Sequence, residues 1–278
     1  MSESPIHTDV LKCRTRAEGR VLEIELDHGR ANEMGSVALA DWERIAAEVQ
    51  NTDVRAILTF SRRRSSRGTP LFIAGADVTE RVGWSDGDVK AHVRRQRRVL
   101  ATLRRAPVFH VAVVDGVALG WGTEFLICCD YRIATPAAQF GLPETALGIL
   151  PGAGGTSELW SLIGVSQALR LGMTGEHIRA DEALRIGLVQ ETVVDVEAGL
   201  LRALSLSEAV ARRSPTAVAA FKRGVLACVG QPRLAREEQE ARGYEHCVDS
   251  GDAAIGRANF KALLKGGDVT WGPRSVPD

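Results

Sequence analysis

Short apolar runs alternate with longer amphipathic stretches along most of the chain, and this alternation restricts the fold more than any other feature. The runs VRAILTF (residues 54–60) and VFHVAVV (108–114) are apolar and of strand length, which predicts buried strands. Residues 39–50 and 88–107 carry apolar side chains at helical spacing. Because strand and helix alternate in this way up to about residue 195, the sequence predicts an α/β fold.

The C-terminal part of the chain has a different pattern. Long helical patterns dominate beyond residue 195, and Ser214 followed by Pro215 is typical of a helix start, with a capping side chain and a proline in the first turn. We therefore expect a core over residues 9–205 and a helical region over residues 206–278.

Charge and cysteine content exclude several classes of protein. The 35 basic and 35 acidic residues balance, so the net charge gives no support to a nucleic-acid or membrane role. The five cysteines show no CxxC spacing, which argues against a metal site and a disulfide framework. The first ten residues lack the features of a signal peptide, and no apolar run reaches 18 residues. We expect a soluble, cytoplasmic protein, with His110 in the core and His92 on the surface.

Two glycine-rich stretches are candidates for contact with a ligand. FIAGADVTE (72–80) has almost no side-chain bulk after a strand, and residues 116–125 end a buried strand and open a helix. Both would expose backbone N–H groups, and two such groups that converge on one point form an oxyanion hole. The alternative is that both are simply tight turns. Neither stretch has the spacing of a nucleotide-binding loop.

Two carboxylates accompany these stretches. Glu124 falls in the first turn of the apolar helix that follows the second stretch, where it is either functional or simply favoured by the helix dipole. Glu144 lies in a later glycine-rich loop. Two carboxylates beside oxyanion donors would suit general acid–base chemistry on an acyl compound.

Three blocks, in this order, carry a resemblance to a known family. The segments FIAGADVTE, VDGVALGWGTEFLICCDYRIAT and AQFGLPETALGILPGAGGT resemble the signature blocks of the crotonase (enoyl-CoA hydratase/isomerase) superfamily. Weaker similarity continues in later segments, so the resemblance covers nearly the whole chain, from about residue 12 to 271. The resemblance implies a crotonase-like spiral of ββα turns, followed by a helical C-terminal region.

The resemblance also implies an oxyanion hole. Family members polarise the thioester carbonyl of an acyl-CoA with two backbone N–H groups, which by motif match would belong to Ala74 and Trp121. The second donor is usually a glycine, so Trp121 departs from the pattern. Its N–H group is retained, and its indole would either shape the acyl pocket or pack in the core.

Catalytic roles follow from the same match. Glu124 and Glu144 match the two glutamates that share a water molecule in family hydratases, and Gly152 matches a glycine whose N–H holds that water. Retention of both glutamates favours hydration of an α,β-unsaturated thioester, or the reverse reaction. Isomerisation and other crotonase chemistry, such as C–C bond cleavage or decarboxylation, are the alternatives.

Further expectations concern the ligand and the assembly. The resemblance places CoA near Ala76 and Asp77 and, more loosely, near Phe260 and Lys261. It implies no cofactor beyond the CoA of the substrate, and a homo-trimer or dimer of trimers with contacts from the helical end. One RNA-binding relative carries basic residues on a helix comparable to residues 88–105, so RNA binding is a second hypothesis. The alternative, which we favour, is a solvated helix face.

Overall fold

The computed structural model describes residues 2–3 and 6–277, so part of the N-terminal segment and the last residue of the 206–278 region lie outside it. The described residues form eleven strands: β1 (Ser2–Glu3), β2 (Lys12–Arg16), β3 (Val21–Leu26), β4 (Ala56–Ser61), β5 (Leu71–Ile73), β6 (Phe109–Val114), β7 (Val117–Leu119), β8 (Tyr131–Ala134), β9 (Gln139–Gly141), β10 (Ile178–Arg179) and β11 (Glu191–Thr192). They also form eleven α-helices: α1 (Ser36–Asn51), α2 (Asp86–Arg105), α3 (Trp121–Cys128), α4 (Leu159–Ile163), α5 (Val165–Thr174), α6 (Ala180–Arg185), α7 (Val196–Ala211), α8 (Pro215–Cys228), α9 (Arg233–Asp249), α10 (Asp252–Ala258) and α11 (Phe260–Leu264). Two 3-10 helices cover Thr79–Arg81 and Pro143–Leu147.

The larger sheet has seven strands in the order β1-β2-β3-β4-β6-β8-β11. Strands β1 to β3 pair antiparallel, and the strands from β3 to β11 pair parallel. Strand β4 is buried along its whole length, as a central parallel strand covered on both faces must be. The two apolar runs predicted as strands are thus confirmed, as β4 and β6.

The smaller sheet has four strands in the order β10-β9-β7-β5. Strands β5, β7 and β9 are parallel, and β10 pairs antiparallel at the edge. The carboxyl ends of β5, β7 and β9 therefore meet at one edge of this sheet. The turns that follow β5 and β7 and the loop that carries Glu144 all begin at that edge.

Helices α1 and α2 pack together beside the core. Trp42 of α1 is fully buried against Phe125 of α3, with ring centroids 4.8 Å apart. Helix α2 begins with a capping box formed by Ser85 and Asp88. The prediction of a surface position for His92 is wrong, because its ring packs against Trp84 and only 6% of the residue is exposed.

Helices dominate beyond residue 195, as predicted. Residue 205, the expected boundary, lies inside α7, so the helical region begins at Val196. Ser214 caps α8 by accepting a hydrogen bond from the Ala217 N–H at 2.9 Å, and Pro215 is the first residue of that helix. Within the described ranges, none of the helices has the length and apolarity that a membrane crossing requires.

Candidate active site

Three consecutive turns meet at the carboxyl edge of the smaller sheet. The turn after β5 contributes Ala76, the turn after β7 contributes Trp121 and Glu124, and the segment after β9 contributes Glu144. All four residues line one cavity of about 230 Å³. The parallel pairing of three short strands thus brings together residues that are far apart in the sequence.

The first turn corrects one assignment made from the sequence. The Ala74 N–H donates a hydrogen bond to the Ala31 carbonyl at 3.1 Å and is therefore engaged within the fold. The flanking groups of residues 75 and 77 bond to Met34, but within the described residues the Ala76 N–H has no acceptor. The free donor of this turn is consequently Ala76, two residues beyond the one chosen from the sequence.

The second turn depends on two glycines for steric reasons. Gly120 has φ 52° and ψ −120°, a conformation that side-chain-bearing residues rarely adopt. At Gly122, a Cβ atom would lie 2.2 Å from the Ile73 carbonyl oxygen. Trp121 between them has a negative φ, so the tryptophan imposes no backbone strain. Its N–H belongs to the first turn of α3 and has no acceptor in the described part of the chain.

The Trp121 side chain packs in the core. Only 2% of the residue is exposed, and its indole stacks on Phe125 with a centroid distance of 5.7 Å and an interplanar angle of 27°. The indole Nε1 has no hydrogen-bond partner among the described residues. Trp121 thus lines the cavity, but most of its ring surface is in contact with the core.

Glu124 is buried and held by backbone donors. Its Oε1 accepts hydrogen bonds from the N–H groups of Ala153 at 2.6 Å and Gly155 at 2.9 Å. Burial raises the pKa of the Glu124 carboxyl, and these N–H groups oppose the effect. The glycine-rich segment after Pro151, which the sequence analysis had not connected with Glu124, therefore fixes the orientation of the carboxylate.

Glu144 has a different environment. Its Oε2 is buried and has no hydrogen-bond partner in the described structure. Burial raises the pKa of Glu144 to about 7, and the neighbouring charge of Glu124 acts in the same direction. The site thus pairs one carboxyl held by N–H donors with one that keeps its proton near neutral pH.

Gly152 lies beside both carboxyls, on the wall of the same cavity. Its N–H has no acceptor within the described residues, and its carbonyl accepts a 2.8 Å hydrogen bond from Arg97 Nε of α2. A Cβ atom at this position would lie 2.8 Å from Val93 Cγ1. Arg97 is a further residue of the site that no sequence motif had indicated.

The other predicted ligand contacts do not all reach this cavity. Asp77 follows Ala76, but its Oδ1 accepts hydrogen bonds from the N–H and hydroxyl of Thr79. Phe260 and Lys261 lie in α11 and are not among the residues that line the cavity. The structure therefore groups Ala76, but not the remaining predicted CoA contacts, with the two carboxyls.

A buried cluster of His110, Cys128 and Cys129 was not apparent from spacing. Their ligand atoms lie within 4.8 Å of one another. His110 is fully buried, as predicted, and bonds through Nε2 to Thr59 Oγ1 at 2.9 Å. Burial holds the pKa of the Cys129 thiol well above its usual value. Because a metal ligand must be a thiolate, these residues are better explained as core packing.

The basic face of α2 is partly paired within the protein. Arg95 forms an ion pair with Glu43 at 2.6 Å, Arg104 lies 2.9 Å from Glu158, and Arg97 bonds to Gly152. Three of the basic side chains thus have roles in the fold or beside the site.

Known proteins resemble this chain over most of its length. The family model described as enoyl-CoA hydratase/isomerase matches residues 19–266. The short-chain-enoyl-CoA hydratase of Clostridium acetobutylicum is 33% identical over 210 residues, which are 75% of this chain and 78% of the relative. An enoyl-CoA isomerase/hydratase of Zymoseptoria tritici is 31% identical over 233 residues, 80% of this chain and 71% of the relative.

A solved structure shows the same fold. The enoyl-CoA hydratase of Bacillus anthracis superimposes with a TM-score of 0.85 and 30% sequence identity, over 95% of this chain and 99% of that one. The crotonase-like α/β fold with a helical C-terminal region is thereby confirmed. Together with the match over residues 19–266, this shows that the chain belongs to the enoyl-CoA hydratase/isomerase family.

Proposed function

We propose that this protein hydrates an α,β-unsaturated acyl-CoA thioester, or catalyses the reverse dehydration. The observation that carries the proposal is that two carboxyls line one cavity together with two backbone N–H groups that have no acceptor among the described residues. Glu124 and Glu144 supply the carboxyls, and Ala76 and Trp121 supply the N–H groups. An addition of water needs both sets, because charge develops on the thioester oxygen while two protons move.

The N–H groups of Ala76 and Trp121 would donate to the thioester oxygen. As water adds to the β-carbon, electron density moves through the α-carbon to this oxygen, and two fixed donors stabilise that charge most at the transition state. The donors are backbone groups at the ends of adjacent parallel strands, so they need no rearrangement during the reaction.

The carboxyls would divide the proton transfers. The Glu124 carboxylate takes one proton from the water as its oxygen bonds to the β-carbon, and the Gly152 N–H helps to hold that water. Glu144, whose pKa burial raises to about 7, delivers the proton of its acid form to the α-carbon. Transfer of one proton from Glu124 to Glu144 then restores both groups, so the net reaction adds one water molecule.

Two further proposals concern where CoA binds and how the chain assembles. CoA itself would run past Ala76 and Asp77, and no cofactor besides the substrate's own CoA is needed. A trimer or dimer of trimers, with the helical C-terminal region in the contacts, is the proposed assembly. RNA binding is not proposed, because three of the basic side chains on α2 have partners within the protein.

Isomerisation is the alternative within the family. Moving a double bond needs one carboxyl that carries a proton between two carbons, a role for which Glu144 alone would suffice. Glu124 distinguishes the two reactions, since hydration also needs a group that activates water. Two buried N–H donors hold Glu124 in place, which favours hydration.

The test uses the purified chain and trans-2-butenoyl-CoA, with loss of conjugated absorbance as the readout. Glu124→Gln and Glu144→Gln should each lower turnover by at least about a hundredfold while the CoA ester still binds. Glu48→Gln, at an exposed position on α1, is the matched control. Near-normal turnover in both site variants would exclude the mechanism. Loss of hydration in Glu124→Gln with double-bond migration retained would instead assign an isomerase.

A further inference from the structure

A second cavity lies on the opposite side of Glu124. It measures about 300 Å³, and both Glu124 and Ala153 belong to the walls of the two cavities. The carboxyl assigned above to the β-carbon thus forms part of the boundary between them. The second space therefore lies next to the place where an acyl chain beyond the β-carbon would run.

The inner wall of the second cavity is apolar. Side chains from α2, α3 and α8 form it: Leu100, Ala101, Ile127, Cys128, Leu226 and Val229. Such a wall suits methylene groups, because burial of apolar surface away from water is favourable. This part of the cavity alone would accept any short or medium acyl chain.

The remaining wall carries an unusual concentration of positive charge. Arg97, Arg104 and Arg105, all from α2, line the same space. The Arg97 Nε is bonded to the Gly152 carbonyl, but within the described residues neither of its terminal nitrogens has an acceptor. Arg105 is exposed and has no acidic partner in the described chain.

Two carboxylates, Glu124 and Glu158, also line this space. Glu158 pairs with Arg104 at 2.9 Å, and Glu124 is held by backbone N–H donors. Within the described residues, Arg97 and Arg105 therefore keep unused donors. Guanidinium groups bind carboxylates through paired, charge-assisted hydrogen bonds. An apolar cavity with such a rim therefore matches a carbon chain that ends in an anion.

We propose that the preferred acyl group carries a carboxylate at its far end, with the chain along the apolar wall and the carboxylate at the arginines. The inference rests on the proposed function, since it extends the acyl group of that substrate. It also gives a role to arginines of α2 that line this cavity while they remain accessible to solvent. A neutral acyl chain would leave the guanidinium donors beside it without an anion.

The experiment compares two thioesters of equal chain length. They are trans-2-hexenoyl-CoA, which ends in a methyl group, and trans-2-hexenedioyl-CoA, which ends in a carboxylate. For the native chain, kcat/KM should be higher for the second thioester, and added KCl should reduce that preference through screening. The preference, taken as the ratio of the two kcat/KM values, is the measured quantity.

Three variants move this ratio in different ways. Arg105→Gln should lower it by roughly tenfold, the effect of losing one hydrogen bond to a charged group. Glu158→Gln should raise it, because the competing carboxylate is removed from Arg104. Arg94→Gln is the control, an exposed arginine of the same helix that does not line the cavity, and it should leave the ratio unchanged.

The outcomes separate the two proposals. If the methyl-ended thioester is hydrated but neither Arg105→Gln nor Glu158→Gln alters the ratio, the arginines do not bind the end of the acyl chain. This inference is then wrong, while the proposed function stands. A native preference for the methyl-ended thioester would lead to the same conclusion. If the chain hydrates neither thioester, nor trans-2-butenoyl-CoA, the proposed function itself fails.

Discussion

The sequence does not determine where the side chain of Trp121 lies. The motif match proposes a role for its backbone N–H, but it does not predict where the indole lies. The ring stacks on Phe125 in the core, and no local pattern could have separated that outcome from a place in the acyl pocket. The ring contact that the structure shows is with Phe125, one turn further along the same helix.

Replacing Trp121 tests this packing. Trp121→Gly should lower the free energy of unfolding by about 3–5 kcal/mol, because a large buried ring is lost. Trp121→Phe should cost less, since it keeps an aromatic ring beside Phe125. Denaturation curves at fixed protein concentration give both values. The ranking of a short and a branched enoyl-CoA by kcat/KM should stay the same, and a reversed ranking in a stable Trp121→Gly protein would assign the ring to the acyl pocket.

The raised pKa of Glu144 gives the reaction a pH dependence. Because burial moves the pKa from 4.5 to about 7, the acid form persists to near-neutral pH. Hydration uses that form, so its kcat/KM should fall as pH rises through about 7, while dehydration should rise. The same shift predicts that the native chain loses stability relative to Glu144→Gln as pH rises from 4.5 through about 7. A hydration rate that increases across this range would contradict the acid role.

At the scale of elements, sequence patterns predicted the long strands and helices but not the short ones. Strands β4 and β6 have apolar runs that are visible in the sequence, and α8 has its cap and proline. Strands β9, β10 and β11 have three or two residues each, too few for a period to be recognised. Ala74 was chosen by motif match, which could not show that its N–H bonds to Ala31, far away along the chain.

The start of α3 provides a prediction at this scale. Gly122→Ala would place a Cβ atom 2.2 Å from the Ile73 carbonyl of β5, so the helix must shift from the strand. We expect the free energy of unfolding to fall by about 1–3 kcal/mol. Turnover should also fall, because the Trp121 N–H is displaced. Gly87→Ala in α2 is the control, because its new Cβ meets only Ser85 Oγ at 3.5 Å. That variant should be neutral or gain up to about 1 kcal/mol. Equal stability of the two variants would show that the contact between α3 and β5 can accommodate a Cβ atom at residue 122.

At the scale of the whole molecule, the site exists because three separate blocks converge. Each block has a turn that the sequence reveals, and parallel pairing of β5, β7 and β9 brings the turns to one sheet edge. Strand order depends on pairing across the whole core, so no single block specifies it. The ordered occurrence of the three blocks predicted the convergence only through resemblance to a family.

The assembly is the last prediction at this scale. Helix α5 exposes Val165, Leu169 and Met173 at intervals of four residues, an apolar stripe on one face, and Phe221 of α8 and Tyr244 of α9 are each 75% exposed. Apolar surface of this extent is typical of protein contacts, and we assign both surfaces to other copies of this chain. Sedimentation at micromolar concentration should give a trimer or hexamer of the 30.0 kDa chain.

Charge placed on the stripe should weaken that assembly. The double variant Leu169→Glu, Met173→Glu buries two uncompensated carboxylates in any contact across α5. Its assembly should therefore dissociate at a higher protein concentration than the native one. Val194→Glu is the matched control, because Val194 is 81% exposed in the loop before α7 and lies on neither surface. A native chain that sediments as a stable monomer would overturn the trimeric proposal. A native assembly that the double variant leaves intact would instead move the contacts to the α8–α9 surface, where Phe221→Glu is the corresponding test.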